Sequence, residues 1–374
     1  MLDTIKSLFL YVLCYRYKIF SWRYLLYSSI FLSLSNLLLK SYNFSAFFAF
    51  YFSTCLTSIL FIRVANKWHH LIKEVALSNL NEYTDPYVQY KCNFAILIVI
   101  SLSLMEHIFS MTSKYSQVQD CYSTDNIYEM YTRTSFPWIF VANVSFSLPL
   151  GIYLEIQNLS STINWTYSHL FVVCISLYLS SILEQINKKI LSREGQVTSY
   201  WRAIREDYNR ASRLVRSFDN VINSIVFVSF ACNLFFVCLQ LYYFLAHGVR
   251  VRQGVLGDTC PYNTSGIFNG YEYVIYYTYS LFFVLLRSLT VSLIAARVHS
   301  ATMVVAPSLY NVPSPAYCTE VQRFIEQVHG DTVALTGLNF FYVTKELVLS
   351  VVGTIATYEL VLLQFNGEDS TNSK

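Results

Sequence analysis

Five ionisable side chains lie within apolar stretches of this 374-residue chain, in places where an enzyme would put its acids and bases. They are Glu106, His107, His169, Arg287 and Glu359. Glu106 and His107 resemble a base with its orienting acid, but successive residues on a helix point about 100° apart, so these two cannot pair directly. The sequence also contains none of the HExxH, GxSxG, phosphate-loop or dinucleotide-binding motifs. We therefore expect no catalytic activity, no cofactor and no metal site.

The elements that carry these residues follow from composition. Hydrophobic residues make up 54% of the chain and charged residues only 13%, whereas soluble domains have about 25% charged residues. Eight apolar runs, most of them near the roughly 20 residues that a helix needs to cross a bilayer, lie at 24–39, 41–62, 92–105, 134–154, 156–183, 221–246, 273–296 and 347–366. Because the runs are continuously apolar and do not alternate, we predict an all-α polytopic membrane protein and not a barrel.

The distribution of lysine and arginine orients the predicted helices, because cytoplasmic loops collect these residues. The segment after residue 183 carries eight of them and is best placed in the cytoplasm. If the runs 134–154 and 156–183 form one crossing, with Pro137 and Pro149 breaking the first run, the count is seven transmembrane helices. The N-terminus is then cytoplasmic and the C-terminus extracellular. Eight crossings would return the C-terminus to the cytoplasm.

We divide the predicted protein into two parts. Residues 1–296 hold helices one to six, with an outward-facing ligand pocket and a cytoplasmic helical extension at 184–220, where apolar residues recur every three or four positions. Residues 297–374 hold a cytoplasmic linker, the seventh helix and a short extracellular tail. In the outer loops, Asn263 lies in a glycosylation sequon, and Cys121 and Cys260 either form a disulfide or both stay free.

Eight polar and aromatic residues lie toward the outer ends of the third to sixth predicted helices. Pockets for small molecules combine aromatic walls with a few placed polar groups, and tyrosine and tryptophan offer hydroxyl-rich ligands a flat face beside a hydrogen-bonding tip. We expect these residues to line a cup open to the outside, although tryptophan and tyrosine also form the aromatic belt of most membrane proteins. They are Glu106, His107, Trp165, His169, Asn233, Gln240, Tyr276 and Tyr277.

The last apolar run ends in TYELVLLQF, residues 357–365. With 3.6 residues per turn, Thr357, Val361 and Gln364 share one helix face, while Phe365 lies on the next face and Glu359 points away from Gln364. Polar residues in lipid need water or protein partners, and one helix cannot enclose a lumen. Several copies around a symmetry axis would supply one. We therefore predict a pore lined by Thr357, Val361 and Gln364, which Phe365 closes as a hydrophobic gate.

The same segment carries a resemblance to a known family. TYELVLLQF matches the TYhhhhhQF signature of insect gustatory receptors, where h is apolar, in the residues Thr357, Tyr358, Gln364 and Phe365. Glu359 is similar to the TYE variant of the sugar-receptor branch. The segments YWRAIREDYNRASRL, SFACNLFFVCLQL and LMEH also resemble sugar receptors, so the similarity covers nearly the whole chain from about Phe20.

The resemblance implies a ligand-gated cation channel of four subunits, identical or mixed with other gustatory receptors, in the plasma membrane of gustatory sensory neurons. Its pore would be formed by the last helix, with Phe365 in the place of the gate residue and Gln364 exposed to the pore on opening. A mono- or disaccharide would stack on Trp165 and tyrosines and bind Glu106, His169 or Gln240. The expected partners are this ligand, permeating cations, lipid and sister subunits, and no nucleic acid.

Two departures from the family pattern keep alternatives open. Sugar receptors tend to place an acid where this chain has His169, so a receptor for another tastant remains an alternative. Family members also carry a longer cytoplasmic segment before the first helix, so the chain is either a short member or an incomplete gene model. A seven-helix G-protein-coupled receptor is the other alternative, and it would place the N-terminus outside.

Overall fold

The computed structural model describes residues 44–121, 126–140, 144–191, 198–247 and 271–371. The predicted first crossing at 24–39, Cys260 and Asn263 lie outside the described residues, as does the side chain of Cys121. In the described part the chain folds into ten α-helices: α1 Phe44–Leu77, α2 Val88–Cys121, α3 Ile127–Ser135, α4 Pro137–Phe140, α5 Leu148–Leu191, α6 Thr198–His247, α7 Glu272–Met303, α8 Val305–Tyr310, α9 Thr319–Gly330 and α10 Lys345–Thr371.

Short elements complete the described structure. Single 3₁₀ turns lie at Asn81–Tyr83 and Ser314–Ala316. Two short strands, β1 Thr336–Gly337 and β2 Phe341–Tyr342, pair antiparallel as a small hairpin between α9 and α10. The hairpin is the only sheet among the described residues. The class predicted from composition, a helical protein, is therefore confirmed.

Several of the helices are long and apolar enough to cross a bilayer. By length and composition they are α1, α2, α5, α6 and α7 together with α8, which makes five candidate spans in the described part of the chain. The prediction of a polytopic membrane protein is confirmed by these spans. The predicted count of seven crossings stays a prediction, since the first run lies outside the described residues and the outer side chains of α10 are not described.

The two apolar runs at 134–154 and 156–183 do not form two separate spanning helices. Residues 148–183 belong to the single 44-residue helix α5, while α3 and α4 are too short to cross a bilayer. The 134–154 run is interrupted, as predicted: one helix ends at Ser135, the next at Phe140, and non-helical residues 144–147 precede α5. Pro149 lies in the first turn of α5, and Pro137 is the first residue of α4, where a missing N–H costs nothing.

The described basic residues of the segment 184–220 lie at the C-terminal end of α5 and in the N-terminal part of α6, in a helical bundle that we call the basic bundle. It comprises the C-terminal part of α5, the N-terminal part of α6, and α8 and α9. Tyr208 of α6 and Phe324 of α9 are buried in its core, with ring centroids 5.1 Å apart. Arg205 donates to Glu320 over 2.9 Å and holds the pKa of this carboxyl below its usual range. The cytoplasmic placement of this bundle stays a prediction.

The hairpin joins the chain before α10 to the middle of α6. The Asp219 carboxylate accepts hydrogen bonds from the Thr336 backbone N–H at 2.6 Å and from the Thr336 hydroxyl at 2.7 Å. Asp219 and Thr336 are both buried. A Cβ atom on Gly337 would lie 2.2 Å from the Phe341 ring, so glycine is required for this ring to cover β1.

We expect the Asp219→Ala variant to lose about 2 to 3 kcal/mol of stability, because two buried donors of Thr336 would lose a charged acceptor. Thermal unfolding of the purified protein in detergent measures the change. The control is Asp331→Ala, which removes an ion pair to Arg216 in which both side chains are about half exposed and should cost under about 1 kcal/mol. Equal effects of the two variants would contradict the buried anchor.

Candidate functional site

A cavity of about 250 Å³ lies between α1, α2, α5, α6 and α7, at the ends of these helices away from the basic bundle. Five of the eight predicted ligand-binding residues are on its wall, namely Glu106, His107, Trp165, Gln240 and Tyr276. The wall also includes Phe50, Tyr51, Ser110, Lys114, Asn158, Thr162, Phe236, Ser280, Val284 and Arg287. We call this space the polar cavity.

A hydrogen-bonded row of side chains crosses the wall from α2 to α6. The Ser280 hydroxyl donates to Glu106 Oε1 at 2.5 Å, and Gln240 Nε2 donates to the Ser280 oxygen at 3.1 Å. Tyr277 donates from its hydroxyl to the backbone carbonyl of Gln240 at 2.6 Å. The Gln240 side-chain oxygen is buried and has no partner among the described residues. A ligand hydroxyl could therefore donate to this oxygen without breaking an existing hydrogen bond.

Arg287 and Trp165 also line the cavity. The Arg287 guanidinium carbon lies 4.4 Å from the Trp165 ring centroid and 5.0 Å from that of Phe283, within cation–π range. Arg287 is 5% exposed, and its Nε and Nη2 have no hydrogen-bond partner in the described structure. Trp165 Nε1 is likewise buried without one. These N–H groups are donors available to a ligand.

The charges around the cavity are mixed. Glu106 contributes a carboxylate, and Arg287 and Lys114 contribute cations on other parts of the wall. Glu106 and Arg287 do not form a direct ion pair, since the described ion pairs at up to 4.0 Å do not include them, but each feels the charge of the other. A neutral molecule with several hydroxyl groups can accept from the cations and donate to the carboxylate at once.

Three of the predicted ligand residues are not on the wall of the polar cavity. His169 is 1% exposed; its Nδ1–H donates to the Trp165 carbonyl at 2.8 Å, and its Nε2 lies 2.9 Å from Asn233 Oδ1. Both ring nitrogens are thus occupied by protein groups. The Tyr277 hydroxyl donates to the backbone carbonyl of Gln240. His169 and Asn233 thus contact each other, and Tyr277 contacts the Gln240 backbone, while none of the three is on the wall of the polar cavity.

Most of the wall residues that sequence reasoning missed lie at helical spacing from the predicted ones, whereas Phe50 and Tyr51 lie on α1, which carries no predicted ligand residue. On α2, Ser110 and Lys114 come four and eight positions after Glu106. On α5, Asn158 and Thr162 precede Trp165 by seven and three positions, and on α7 Ser280 and Val284 follow Tyr276. Residues three or four apart lie on one helix face. Extending each predicted residue along its face would have found those at helical spacing, and Arg287 was visible as an arginine inside an apolar run.

The predicted pore segment is described only in part. Thr357 and Tyr358 of α10 are exposed in the single chain, with Tyr358 at 56%, and Val361 is 41% exposed. The side chains of Glu359, Gln364 and Phe365 lie outside the described residues. Exposed apolar residues continue along α10 at Leu349 and Leu360. The assignment of pore-lining and gate residues stays a prediction.

Comparison with known protein families gives a match over nearly the whole chain. The sequence model of the trehalose receptor family matches residues 9–253 and 266–374. Among individual relatives, the gustatory receptor for sugar taste 64f of Drosophila melanogaster is 34% identical over 326 residues, which is 85% of this chain. The gustatory receptor 5a for trehalose of the same fly is 30% identical over 332 residues, or 86% of this chain and 69% of the relative. The chain spans 65% of the length of the 64f receptor.

Solved structures with the same fold come from another insect. The olfactory receptor OR5 of Machilis hrabei superposes with a TM-score of 0.58 at 15% identity, covering 91% of this chain and 88% of that receptor. The same receptor in complex with eugenol gives a TM-score of 0.56 over 97% of this chain. At this identity the similarity concerns the fold alone, and it agrees with the helical architecture described above.

Proposed function

Because the chain belongs to the trehalose receptor family of insect gustatory receptors, we propose that it is a taste receptor in which a sugar opens a cation-conducting pore. The observation that carries the proposal is the polar cavity, whose lining residues include aromatic rings and the side chains of Trp165, Gln240 and Arg287, each with a polar atom that lacks a partner among the described residues. The relatives named as receptors for sugar taste and for trehalose support the same reading.

The geometry favours a sugar that is held by hydrogen bonds to its hydroxyl groups over one that stacks on the Trp165 ring. Arg287 lies over the Trp165 ring at 4.4 Å, and Phe236 approaches it with a centroid distance of 4.8 Å. The ring of Trp165 is thus already covered, and its unpaired Nε1–H and the unpaired N–H groups of Arg287 are the candidate donors to a sugar. Glu106 and the Gln240 side-chain oxygen are the candidate acceptors. Since a sugar hydroxyl can both donate and accept, two donor groups and two acceptor groups around one cavity suit a polyol.

The volume of the polar cavity favours a small ligand. Sites for drug-sized molecules measure about 300 to 1,000 Å³, and this cavity measures about 250 Å³. We propose that it holds one sugar ring. Either a monosaccharide or one half of a disaccharide would fill it.

Binding can reach the predicted pore through α6 and α7. Both helices contribute to the cavity wall, and both contact α10. A sugar that binds the contracted cavity more tightly shifts the population toward it, and any movement of α6 or α7 acts directly on α10. We propose that four chains assemble in the plasma membrane of taste neurons, with the outer part of α10 from each chain around the pore.

A sugar panel tested by calcium imaging in a heterologous cell line examines the proposal. We expect a dose-dependent calcium rise that requires extracellular calcium. In excised outside-out patches without GTP, the sugar-evoked current should persist. A response that disappears in the excised patch would favour the G-protein-coupled alternative, and no response to any sugar at normal surface expression would contradict the proposal.

The Glu106→Gln variant tests the cavity itself. It keeps the shape of the side chain but replaces a charged acceptor, a change worth about 1.5 to 3 kcal/mol, so we expect the half-maximal sugar concentration to rise roughly tenfold or more. The control is Glu129→Gln on α3, which pairs with Arg133 and is not on the cavity wall. An unchanged dose response in Glu106→Gln would remove this carboxylate from the site.

A further inference from the structure

A second cavity, of about 480 Å³, lies between α6, α7 and α10. Neither α2 nor α5 lines this cavity, which we call the apolar cavity. Leu234 of α6, Leu289 of α7 and Val352 of α10 are typical of its lining. A sugar would find few hydrogen-bonding partners there, so the apolar cavity is not an extension of the sugar site. Its volume is within the range of about 300 to 1,000 Å³ that small-molecule sites occupy.

Three polar side chains, Ser288, Asn233 and Ser292, interrupt this apolar lining. Ser288 of α7 lines the cavity, and its hydroxyl oxygen is buried without a hydrogen-bond partner among the described residues. Asn233 of α6 lines it as well. An unpaired buried hydroxyl is costly unless a partner arrives from outside. A bare hydrocarbon chain would leave the Ser288 hydroxyl unpaired, whereas a molecule with one hydroxyl or carbonyl group would satisfy it.

We propose that the apolar cavity binds a small apolar molecule with a single hydroxyl or carbonyl group, of the size of a terpenoid alcohol. The apolar body of the ligand lies against α6, α7 and α10, and its one polar group pairs with Ser288. This site is separate from the sugar site, and the proposal does not depend on whether the polar cavity binds a sugar.

The two cavities are connected by a short run of contacts. Asn233 lines the apolar cavity, and its Oδ1 lies 2.9 Å from His169 Nε2. His169 in turn donates from Nδ1 to the carbonyl of Trp165, which lines the polar cavity. Because the apolar cavity also borders α10, a ligand there contacts the predicted pore helix directly. We expect it to change the sugar response, and sugar to change its affinity by the same factor.

Direct binding to the full-length receptor in lipid nanodiscs tests the site. The probe is tritiated geraniol, an alcohol of ten carbons, competed with unlabelled geraniol and compared with nanodiscs that hold no protein. We expect saturable binding of one geraniol per chain. The matching hydrocarbon without the hydroxyl should compete about fivefold or more weakly, since it cannot pair with Ser288.

Matched variants place the probe in the apolar cavity. Leu234→Trp should fill the cavity and abolish saturable binding, whereas Phe235→Trp, at a neighbouring residue of similar exposure that does not line it, should not. Ser288→Ala should weaken binding about fivefold to tenfold. Thr290→Ala, whose hydroxyl bonds the Leu286 carbonyl within α7, should leave binding unchanged. Size-exclusion chromatography shows that each variant assembles.

Three results would overturn the proposal. The first is uptake equal to that of empty nanodiscs, as expected if lipid, a second chain or residues 1–43 occupy the cavity. The second is equal competition by the hydrocarbon, which would exclude the hydrogen bond. The third is saturable binding that Leu234→Trp leaves intact. Because the readout is binding and not current, a failure here is separate from a failure of the sugar-receptor proposal.

Discussion

Replacing Phe365 with alanine is expected to produce a current that flows without any sugar. The resemblance of TYELVLLQF to the family signature gives Phe365 the place of the gate, and a ring of phenyl groups closes a narrow pore by excluding water. Alanine leaves a wider and wetter passage. We expect the resting current to rise on the order of tenfold, as a shift of about 1.4 kcal/mol in the open–closed equilibrium gives. Patch-clamp recording without ligand measures it.

The control for this gate variant is Leu349→Ala on the same helix. Leu349 is 71% exposed in the single chain and lies about four turns before Phe365 on the same helix. It should leave the resting current unchanged at equal surface expression. If Phe365→Ala also shows the wild-type resting current while reaching the surface, Phe365 is not the gate.

Replacing Trp165 with alanine is expected to abolish the sugar response at concentrations that saturate the wild type, while assembly is retained. Trp165 supplies an N–H donor and also holds Arg287, whose guanidinium lies against its ring. Alanine removes the donor and leaves Arg287 without its support, so two of the groups that face the ligand are lost together. We expect the half-maximal sugar concentration to rise roughly 30-fold or more, as a loss of about 2 kcal/mol gives. Calcium imaging over a sugar dilution series measures the shift.

A second substitution separates the two roles of Trp165. Trp165→Phe keeps a flat ring beneath Arg287 but lacks the N–H, so its response should be weaker than wild type and stronger than that of Trp165→Ala. Phe235→Ala is the matched aromatic control, since Phe235 is not on the cavity wall. A dose response retained in Trp165→Ala would remove this residue from the site, and the surface level of each variant must be equal for the comparison.

The sequence was sufficient to predict the helical membrane fold and part of the polar cavity, for a common physical reason. In lipid, long and continuously apolar runs form helices. Polar residues such as Glu106 and Gln240 stand out within these runs, because burying a polar group in a membrane costs free energy and so indicates a function. Both signals are local in the chain, so they are readable without knowing which helices touch. Pro137 and Pro149 both lie in the first turn of a helix, so the interruptions that these prolines predicted lie just before them.

The direction in which each side chain points could not be read in the same way. His169 and Asn233 lie at the predicted depth, yet α5 and α6 pack so that the two side chains meet each other and not the cavity. Arg287 lies at the same depth and does face the cavity. The anchor between Asp219 and Thr336 joins residues 117 positions apart. Such choices depend on which helices become neighbours, and periodicity within one helix does not contain that information.

The length of α6 makes it a lever. This helix is continuous over 50 residues, which corresponds to roughly 75 Å at 1.5 Å per residue. It holds Gln240 in the polar cavity near one end, Asp219 at the hairpin in the middle and Arg205 in the basic bundle near the other. A rod of this length that tilts by about 2° moves its far end by about 2 to 3 Å. In the proposed mechanism, a small contraction of the polar cavity around a sugar ring that tilts α6 therefore produces a larger displacement of the opposite end of this helix.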